Sequence, residues 1–208
     1  MSKKQTKITK LVSTFFVGAL LVSVLMFKDA PVAKAHIVPS PCDFTTGGGF
    51  VLTDSGNHAN FGLVGGCKNG GFFGHVNFVD HDTSGTFAGL HVSSDSIDGY
   101  FEPVAGSNVR DICGTADTNN PLFPTVKFRA RTEDNADPNP GGRGVDKFGL
   151  KLTATSGPLA GQSGVVITTR VLAGGDIELH KPNPSTTGPS VPPNEITACG
   201  SDDSGLGT

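Results

Sequence analysis

Residues 125–132 read Thr-Val-Lys-Phe-Arg-Ala-Arg-Thr, and within this stretch apolar and cationic side chains alternate one by one. Successive side chains of a β-strand point to opposite faces, so Val126, Phe128 and Ala130 would share one face and the three cations the other. Residues 147–154 repeat the alternation with Phe and Leu against Lys and Gly. Both stretches predict half-buried strands with one solvated face.

Glycine and proline punctuate the rest of the chain. The 208 residues include 29 Gly and 14 Pro, which separate short runs of Val, Ile, Phe and Thr. The run Gly47 to Gly49 indicates close backbone packing or a bulge. Since no stretch after residue 35 has a sustained helical period, we predict an all-β domain, an antiparallel β-sandwich of about ten short strands, with a closed or partly open barrel as the alternative. The predicted strands are 50–53, 59–64, 72–79, 86–93, 96–103, 109–116, 125–132, 147–154, 164–170 and 176–180.

Residues 1–35 have the three parts of a secretory signal peptide. Four lysines in the first ten residues precede the apolar run Leu11 to Phe27, which would be helical, and Ala33-Lys34-Ala35 offers the small residues that a signal peptidase requires. We expect a secreted or extracellular protein that begins at His36, with cell-wall association open. Retention of the apolar run as an anchor is the alternative.

Composition divides the chain after the signal peptide into three parts. Residues 36–44 form a short lead, residues 45–181 hold the predicted strands, and residues 182–208 are rich in Pro, Gly and Ser with little to bury. We predict that this last part is a flexible tail, unless Cys199 is bonded.

The charge of the exported part disfavours two classes of partner. The whole chain has 16 Lys and Arg against 19 Asp and Glu; six of these cations and one of these anions lie in residues 1–35, which leaves a net charge near −8. Such a surface opposes phosphate backbones and anionic lipid. The nearest approach to a basic cluster is Lys127, Arg129 and Arg131 on one predicted strand. We therefore expect an unidentified extracellular ligand or surface component, no nucleic acid, and no membrane after signal cleavage.

An even number of cysteines in an exported chain predicts two disulfides. Four cysteines allow three pairings, which sequence alone does not resolve. We favour Cys42 with Cys199, which would join the ends of the domain, and Cys67 with Cys113, which would join two early strands. A metal site is the weaker interpretation, because there is no paired C-x-x-C spacing.

The stretch from Gly74 to Asp82 is the first candidate site. His75, Asp80 and His81, with His91 beyond, have the imidazole and carboxylate groups that bind zinc. A metal-dependent hydrolase that uses these residues is one alternative function. The other interpretation is structural: polar side chains alternate outward and an Asp-rich turn bonds its own backbone.

The loop between the two alternating strands is the second candidate site. Asp134, Asn135, Asp137, Asn139 and Asp146 offer the hard oxygen ligands that calcium prefers. Their spacing is not that of an EF-hand, and a solvated hairpin connection explains the same residues. A calcium-stabilised adhesion module is therefore an alternative, and we expect no cofactor unless this loop binds calcium.

No local motif predicts catalysis. The chain has neither G-x-S-x-G nor H-E-x-x-H, the cues of common secreted hydrolases. Carbohydrate binding is an alternative, although sugar platforms usually use exposed aromatic side chains and this chain has no Trp and one Tyr, Tyr100. Phe72 and Phe73 must point to opposite faces of a strand, so one of them lies outside the core or under a loop. The leading prediction is a non-catalytic domain with a binding or structural role.

An ordered set of short motifs resembles the secreted bacterial β-domain of the post-COAP type, which is associated with choice-of-anchor modules. The likeness covers roughly residues 45–181 and implies an exported or surface-associated all-β module, with no established catalytic residues to carry over. The motifs are Gly47-Gly48-Gly49-Phe50, Ala59-Asn60-Phe61-Gly62, Gly74-His75-Val76-Asn77-Phe78-Val79-Asp80-His81, Val92-Ser93-Ser94-Asp95-Ser96-Ile97 and Gly174-Gly175-Asp176-Ile177-Glu178-Leu179-His180-Lys181.

Overall fold

The computed structural model describes residues 36–135 and 144–207. The chain is nearly all β, which confirms the predicted class. The predicted signal peptide, residues 1–35, lies outside the described residues. Within the described ranges, no helix is long and apolar enough to cross a membrane. The elements are β1 (Phe44–Leu52), β2 (His58–Lys68), β3 (Gly71–Asp80), β4 (His91–Phe101), β5 (Val109–Thr118), β6 (Thr125–Glu133), β7 (Lys147–Ala154), β8 (Ser163–Val171), β9 (Gly174–His180) and the helix α1 (Glu195–Cys199).

The strands form one antiparallel sheet in the order β8-β7-β6-β5-β4-β3-β2-β1-β9. Strands β1 to β8 are each adjacent to the next in sequence, as is usual where short connections join antiparallel strands. The tightest connection contains Asn69 and Gly70 at φ 51° and 84°, the positive values that a two-residue type I′ turn requires. Strand β9 then returns to pair with β1, so β8 and β9 are the sheet edges.

The sheet curls into a half-barrel, which brings β2 and β3 opposite β7 across one hydrophobic core. Phe61 on β2 stacks on Phe148 on β7 with ring centroids 4.1 Å apart, and Phe78 on β3 lies 6.2 Å from the same ring. All three side chains are buried. The sandwich and barrel predictions both place antiparallel strands on two sides of a core. The structure forms both sides from a single continuous sheet.

Carboxylates occupy the free edge of β9. Asp146 Oδ2 accepts the N–H of Ile177 at 2.8 Å, and Asp134 Oδ2 accepts the N–H of Leu179 at 2.7 Å. Asp134 follows β6 and Asp146 precedes β7, so the described ends of the β6–β7 connection lie beside β9. An unpaired strand edge is a template for association with another chain, and these two side chains bond its donors instead.

Residues 36–135 and 144–207 contain nine strands, whereas the sequence predicts ten. A surface loop and one long strand, β4, replace the predicted strands 86–93 and 96–103. Strand β4 includes the polar run Ser93 to Ser96, and its pairing with β5 shifts register between Ser94 and Ser96 and again between Ile97 and Gly99. The hydroxyl of Ser94 accepts the N–H of Val76 on β3 at 2.9 Å. The polar run therefore bonds to neighbouring strands and does not form a turn.

All four cysteines are disulfide-bonded, but the predicted pairing is wrong. The bonds are Cys42–Cys67 and Cys113–Cys199. The antiparallel register of β1 and β2 brings the chain just before β1 beside Cys67. Cys67 points into the core, whereas Cys113 and Cys199 form a small cluster on the other face of the sheet. The predicted Cys67–Cys113 and Cys42–Cys199 bonds would both have to cross the sheet.

Residues 182–207 are packed, in contrast to the predicted flexible tail. Cys199 is bonded, the condition under which the prediction would not hold. Asn194 Oδ1 accepts the N–H of Thr197 at 3.0 Å and caps α1, and Leu206 is fully buried. The segment packs because a disulfide and a set of charged contacts attach it to the sheet.

Candidate functional site

The outer face of the sheet, opposite the core, has two halves of different character. We call β4 to β7 the covered half, because residues 194–207 lie over it. We call β9, β1, β2 and β3 the open half, because most of its outward side chains are exposed or half-buried. On β2, for example, Ala59 and Phe61 are buried in the core while His58 and Asn60 are exposed.

A row of cross-strand partners runs across the open half and onto β4. Neighbouring strands are about 4.8 Å apart, so five partners span about 19 Å. Two adjacent members of the row, on β1 and β2, carry no side chain and leave a shallow depression, and we call the row the glycine channel. Its members are Asp176 on β9, Gly48 on β1, Gly62 on β2, Asn77 on β3 and Ser93 on β4.

Packing of the sheet does not require the two glycines of the channel. A Cβ on Gly62 would meet no atom within 4 Å, and a Cβ on Gly48 would have its nearest neighbour at 3.5 Å. In contrast, a Cβ on Gly47 or Gly49 would approach β9 to 2.8 or 2.1 Å. Glycine inside a strand costs roughly 0.5–1 kcal/mol relative to alanine, and it often marks close approach of a ligand or another backbone. Gly48 and Gly62 therefore indicate a contact surface.

A pair of rings flanks the channel on one side. Phe50, two residues beyond Gly48, stacks on His58 with ring centroids 4.2 Å apart. Asn60, two residues before Gly62, is exposed between these rings and the channel. This flank therefore combines a flat ring surface with an amide that donates and accepts hydrogen bonds.

Three rings lie beyond the other side of the channel. His180 stacks on Phe44 with ring centroids 4.3 Å apart, and Phe73 follows at 6.1 Å from Phe44. Phe73 is half-buried on the outer face, whereas Phe72 packs against the core. Of the Phe72-Phe73 pair, Phe73 is thus the member outside the core.

His75 sits beside the channel with both ring nitrogens engaged. Its Nε2 is 2.7 Å from Asn77 Nδ2, and its Nδ1 is 2.9 Å from Ser94 Oγ. Ser94 is buried and its oxygen accepts the N–H of Val76, so this contact joins β3 to β4. His75 also orients Asn77 within the channel.

The four residues of the predicted zinc site do not converge. His75 points outward, whereas Asp80 is buried on the inner side. His81 is exposed in the loop after β3. His91 pairs with Val79, which lies four residues, about 13 Å, along β3 from His75. The alternation of the strand separates ligands that are close in sequence.

The described members of the predicted calcium site have structural roles. Asp134 and Asp146 bond the edge of β9, and Asp146 Oδ1 also accepts the N–H of Asn135 at 2.9 Å. Asp137 and Asn139 lie outside the described residues. Calcium binding by this loop therefore stays a prediction, although both carboxylate oxygens of Asp146 and Oδ2 of Asp134 already accept backbone hydrogen bonds.

A polar pocket of about 140 Å³ opens near the ends of β1 and β3. Asp80 Oδ1 accepts the N–H of Asp82 at 2.7 Å, and Asp82 Oδ1 accepts the hydroxyl of Thr53 at 2.9 Å. Burial raises the pKa of Asp80, and the hydrogen bond from the backbone of Asp82 offsets only part of this. The contacts among these side chains hold the loop after β3 against the end of β1.

The covered half contains a buried network of ion pairs. Asp111 on β5 is fully buried and accepts two hydrogen bonds from Arg131, at 2.8 and 2.9 Å, and one from Arg129 at 2.7 Å. Arg129 also contacts Glu195 of α1 at 2.6 Å. Burial alone would raise the pKa of Asp111, but the hydrogen bonds from Arg131 and His36 and the arginine charges hold it far below its usual range.

The prediction that the cations of β6 and β7 face solvent is wrong. Arg129, Arg131 and Lys151 are buried beneath the C-terminal segment. Their outward direction is as predicted, but the segment supplies acids and backbone carbonyls that replace water. The carbonyl contacts are Lys127 Nζ to Thr197 O at 2.5 Å, Arg129 NH2 to Ser201 O at 2.8 Å, Arg131 NH1 to Gly207 O at 3.0 Å and Lys151 Nζ to Ser204 O at 2.9 Å.

His36, Asp111 and Glu195 have ligand atoms within 4.8 Å of one another, and theirs is the one such group among residues 36–135 and 144–207. A guanidinium nitrogen of Arg129 already contacts both carboxylates, at 2.7 and 2.6 Å. Hydrogen bonds with Asp111 and Glu195 raise the pKa of His36 to about 9. The Arg129 guanidinium bridges the two carboxylates, so the group is an ion-pair cluster.

No protein-family model, curated protein or solved structure matches this chain. The candidate site is therefore defined by the geometry of the open half. In the sequence, Gly48 is only the middle residue of a run of three glycines, and nothing marks Gly62 as a candidate site residue. The register of β1 against β2, which pairs Gly48 with Gly62, is the signal that identifies them.

Proposed function

We propose that this chain is a secreted, non-catalytic β-domain that binds a polysaccharide along the glycine channel. The observation that carries the proposal is the Gly48–Gly62 pair, two neighbouring positions about 4.8 Å apart that have no side chain although side chains would fit there. Sugar rings present flat C–H faces and hydroxyl edges. The channel offers both complements, since rings flank it and Asn60 and Asn77 are exposed along it.

The chemistry of the open half favours binding over catalysis. The hydroxyl beside His75 belongs to Ser94, which is buried and accepts the N–H of Val76, and no cysteine in the described chain is free to act as a nucleophile. The net charge near −8 after residue 35 disfavours acidic polymers. Neutral polysaccharides are therefore the preferred class of ligand.

Two observations support the exported part of the proposal. Disulfides persist in oxidising compartments, and the domain has two. Residues 1–35 have the pattern of a signal peptide. We include the post-COAP resemblance in the same proposal, because it implies an exported β-module with no catalytic residues.

The test is binding of the disulfide-bonded domain, residues 36–208, to neutral soluble polysaccharides. Retardation in gels that contain a β-glucan, a mannan or a xylan would identify a ligand, and calorimetry with its oligosaccharides would give the affinity. Gly62→Val places a branched side chain in the channel. We expect it to weaken binding at least tenfold with no loss of folding.

Gly71→Val is the matched control. Gly71 lies opposite Lys68, six residues and about 20 Å along β2 from Gly62, and its Cβ would have its nearest neighbour at 3.9 Å. This variant should bind as the wild type does. Equal binding by the Gly62→Val variant, or no retardation by any neutral polysaccharide, would contradict the proposal.

A further inference from the structure

The backbone nitrogen of His36 lies inside the ion-pair cluster of the covered half. It is 3.3 Å from Glu195 Oε2, while the imidazole Nδ1 of the same residue is 2.8 Å from Glu195 Oε1. The His36 side chain is only 9% exposed. One residue therefore presents both its main chain and its side chain to one carboxylate.

We propose that cleavage of the Ala35–His36 bond creates a structural group, the α-ammonium of His36, which pairs with Glu195 and fastens the C-terminal segment to the sheet. Hydrolysis adds water across the peptide bond, leaves the carboxylate on Ala35 and gives His36 an amine, which takes up a proton near neutral pH. The site of cleavage would thus matter for the stability of the mature protein. This inference uses the exported part of the proposed function and is independent of its ligand.

The change at the nitrogen is one of charge and of donor number. Before cleavage, the His36 nitrogen is a neutral amide with one proton; afterwards it is a cation with three. Charge-assisted hydrogen bonds are roughly twice as strong as neutral ones. Glu195 is mostly buried, with 14% of its side chain exposed, so water screens this pair less than a surface pair.

The groups that face His36 come from four elements and comprise three carboxylates and two guanidinium groups, and a guanidinium nitrogen of Arg129 lies 3.3 Å from the imidazole Nδ1. Asp111 on β5 and Glu195 on α1 approach the imidazole Nδ1, and Asp203 in the final segment approaches its Nε2 at 3.6 Å. Arg129 and Arg131 on β6 pair with Asp111. Asp203 is partly exposed and Glu195 lies nearest to the nitrogen, so the α-ammonium would lie on the acidic side of the cluster.

The consequence is a link between the two ends of the mature chain. Glu195 is the first residue of α1, and Cys199 at the end of α1 is bonded to Cys113. An ion pair at one end of the helix and a disulfide at the other would hold it against β5 and β6. Cleavage at another position would leave the disulfide, the side-chain contacts and a neutral amide hydrogen bond in place of the ion pair.

The test compares two disulfide-bonded proteins, one that starts at His36 and one that starts at Ala35, each with Glu195 and with Glu195→Gln. The extra residue converts the His36 nitrogen to an amide and moves the amine one residue away. We expect the unfolding temperature to fall by about 2–4 °C on extension, the shift that about 1 kcal/mol produces in a domain of this size. We expect no such fall in the Glu195→Gln background.

A second readout separates an ion pair from a steric effect. The pKa of the His36 α-amine, measured by NMR titration, should lie above the usual range of about 7.7–8.0 and return to it in Glu195→Gln. Asp202→Asn is the control, because Asp202 belongs to the same segment but pairs with Lys151; it should leave both readouts unchanged. Intact mass of the exported protein should begin at His36.

Three results would overturn the inference. The unfolding temperatures of the two proteins could coincide, the difference could persist in Glu195→Gln, or the exported protein could begin at another residue. None of these results bears on polysaccharide binding. Conversely, a domain that binds no polysaccharide could still show the effect of the α-ammonium, so the two proposals fail separately.

Discussion

The two halves of the outer face belong to one sheet and treat polar side chains in opposite ways. In the covered half, Asp111 and Arg129 are fully buried under a segment from the end of the chain. In the open half, Asn60 and Asn77 are exposed in or beside the glycine channel. The covered half thus binds the chain's own C-terminal segment, while the open half remains available to a partner.

The difference shows when a segment of the same chain can cover one face of a sheet. Burying an ion is costly unless its partner and its remaining hydrogen bonds are supplied. The C-terminal segment supplies both, since Glu195 and Asp203 pair with the arginines and backbone carbonyls bond the remaining donors. The phenyl rings and amides of the open half are uncharged groups that do not need such partners.

The largest expected effect is in the covered half, at Asp111. Asp111→Asn would leave Arg129 and Arg131 buried without their shared anion, so we expect a loss of about 3–5 kcal/mol in the free energy of unfolding. Urea denaturation at neutral pH measures it. Asp117→Asn, on the same strand but exposed, should change stability by less than about 0.5 kcal/mol. A similar small change for both variants would mean that the network does not stabilise the cover.

The next effect separates the two disulfides. Cys113 and Cys199 are 86 residues apart, and Cys42 and Cys67 are 25 apart. If loop closure in the unfolded chain dominates, each bond contributes about 2–4 kcal/mol, and the longer loop about 1 kcal/mol more. Replacing each pair by alanine and measuring urea denaturation tests the order. Equal losses would show that native contacts, not loop length, set the contribution of the Cys113–Cys199 bond.

The sequence predicts the two faces of each strand much better than what covers them. Alternation from Val126 to Arg131 places the cations outside, as the structure does. It does not reveal that Glu195 and Asp203 cover them, because those residues are more than 60 positions away and their own segment reads as a flexible tail. The sequence therefore predicts that the cationic face of this strand is solvated, and this prediction is wrong.

The disulfides and the candidate site depended on register in the same way. Residues an even number of positions apart in a strand share a face. Cys67 therefore lies on the core face with Phe61, and Cys113 lies on the opposite face with Asp111, so the two cysteines cannot pair. Such a conclusion requires the strand boundaries and the inner face to be known first. Gly62 becomes notable only when the pairing with Gly48 is known.

A smaller effect tests the covered half through pH. The pKa of His36 is raised from 6.5 to about 9 by its hydrogen bonds with Asp111 and Glu195. The stabilisation from its protonated form is complete below about pH 6.5 and is lost as the pH rises to about 9. We expect the unfolding temperature to fall over this interval. In a protein that starts at Ala35, where the His36 main-chain nitrogen is an amide that does not titrate, His36→Gln should remove most of the slope; an unchanged slope would assign the effect to another group.

The smallest effect, and the sharpest contrast between the halves, comes from one substitution made in each. Gly62→Val in the open half adds a side chain where a Cβ would meet no atom within 4 Å, so we expect stability to stay constant or rise by about 0.5–1 kcal/mol. Gly149→Val in the covered half places a Cβ 2.6 Å from Thr169 Oγ1 and should destabilise the domain. Thermal unfolding of the two variants decides the matter. If Gly62→Val were the more destabilising, its glycine would be a requirement of the fold, and the channel would lose its interpretation as a surface for a ligand.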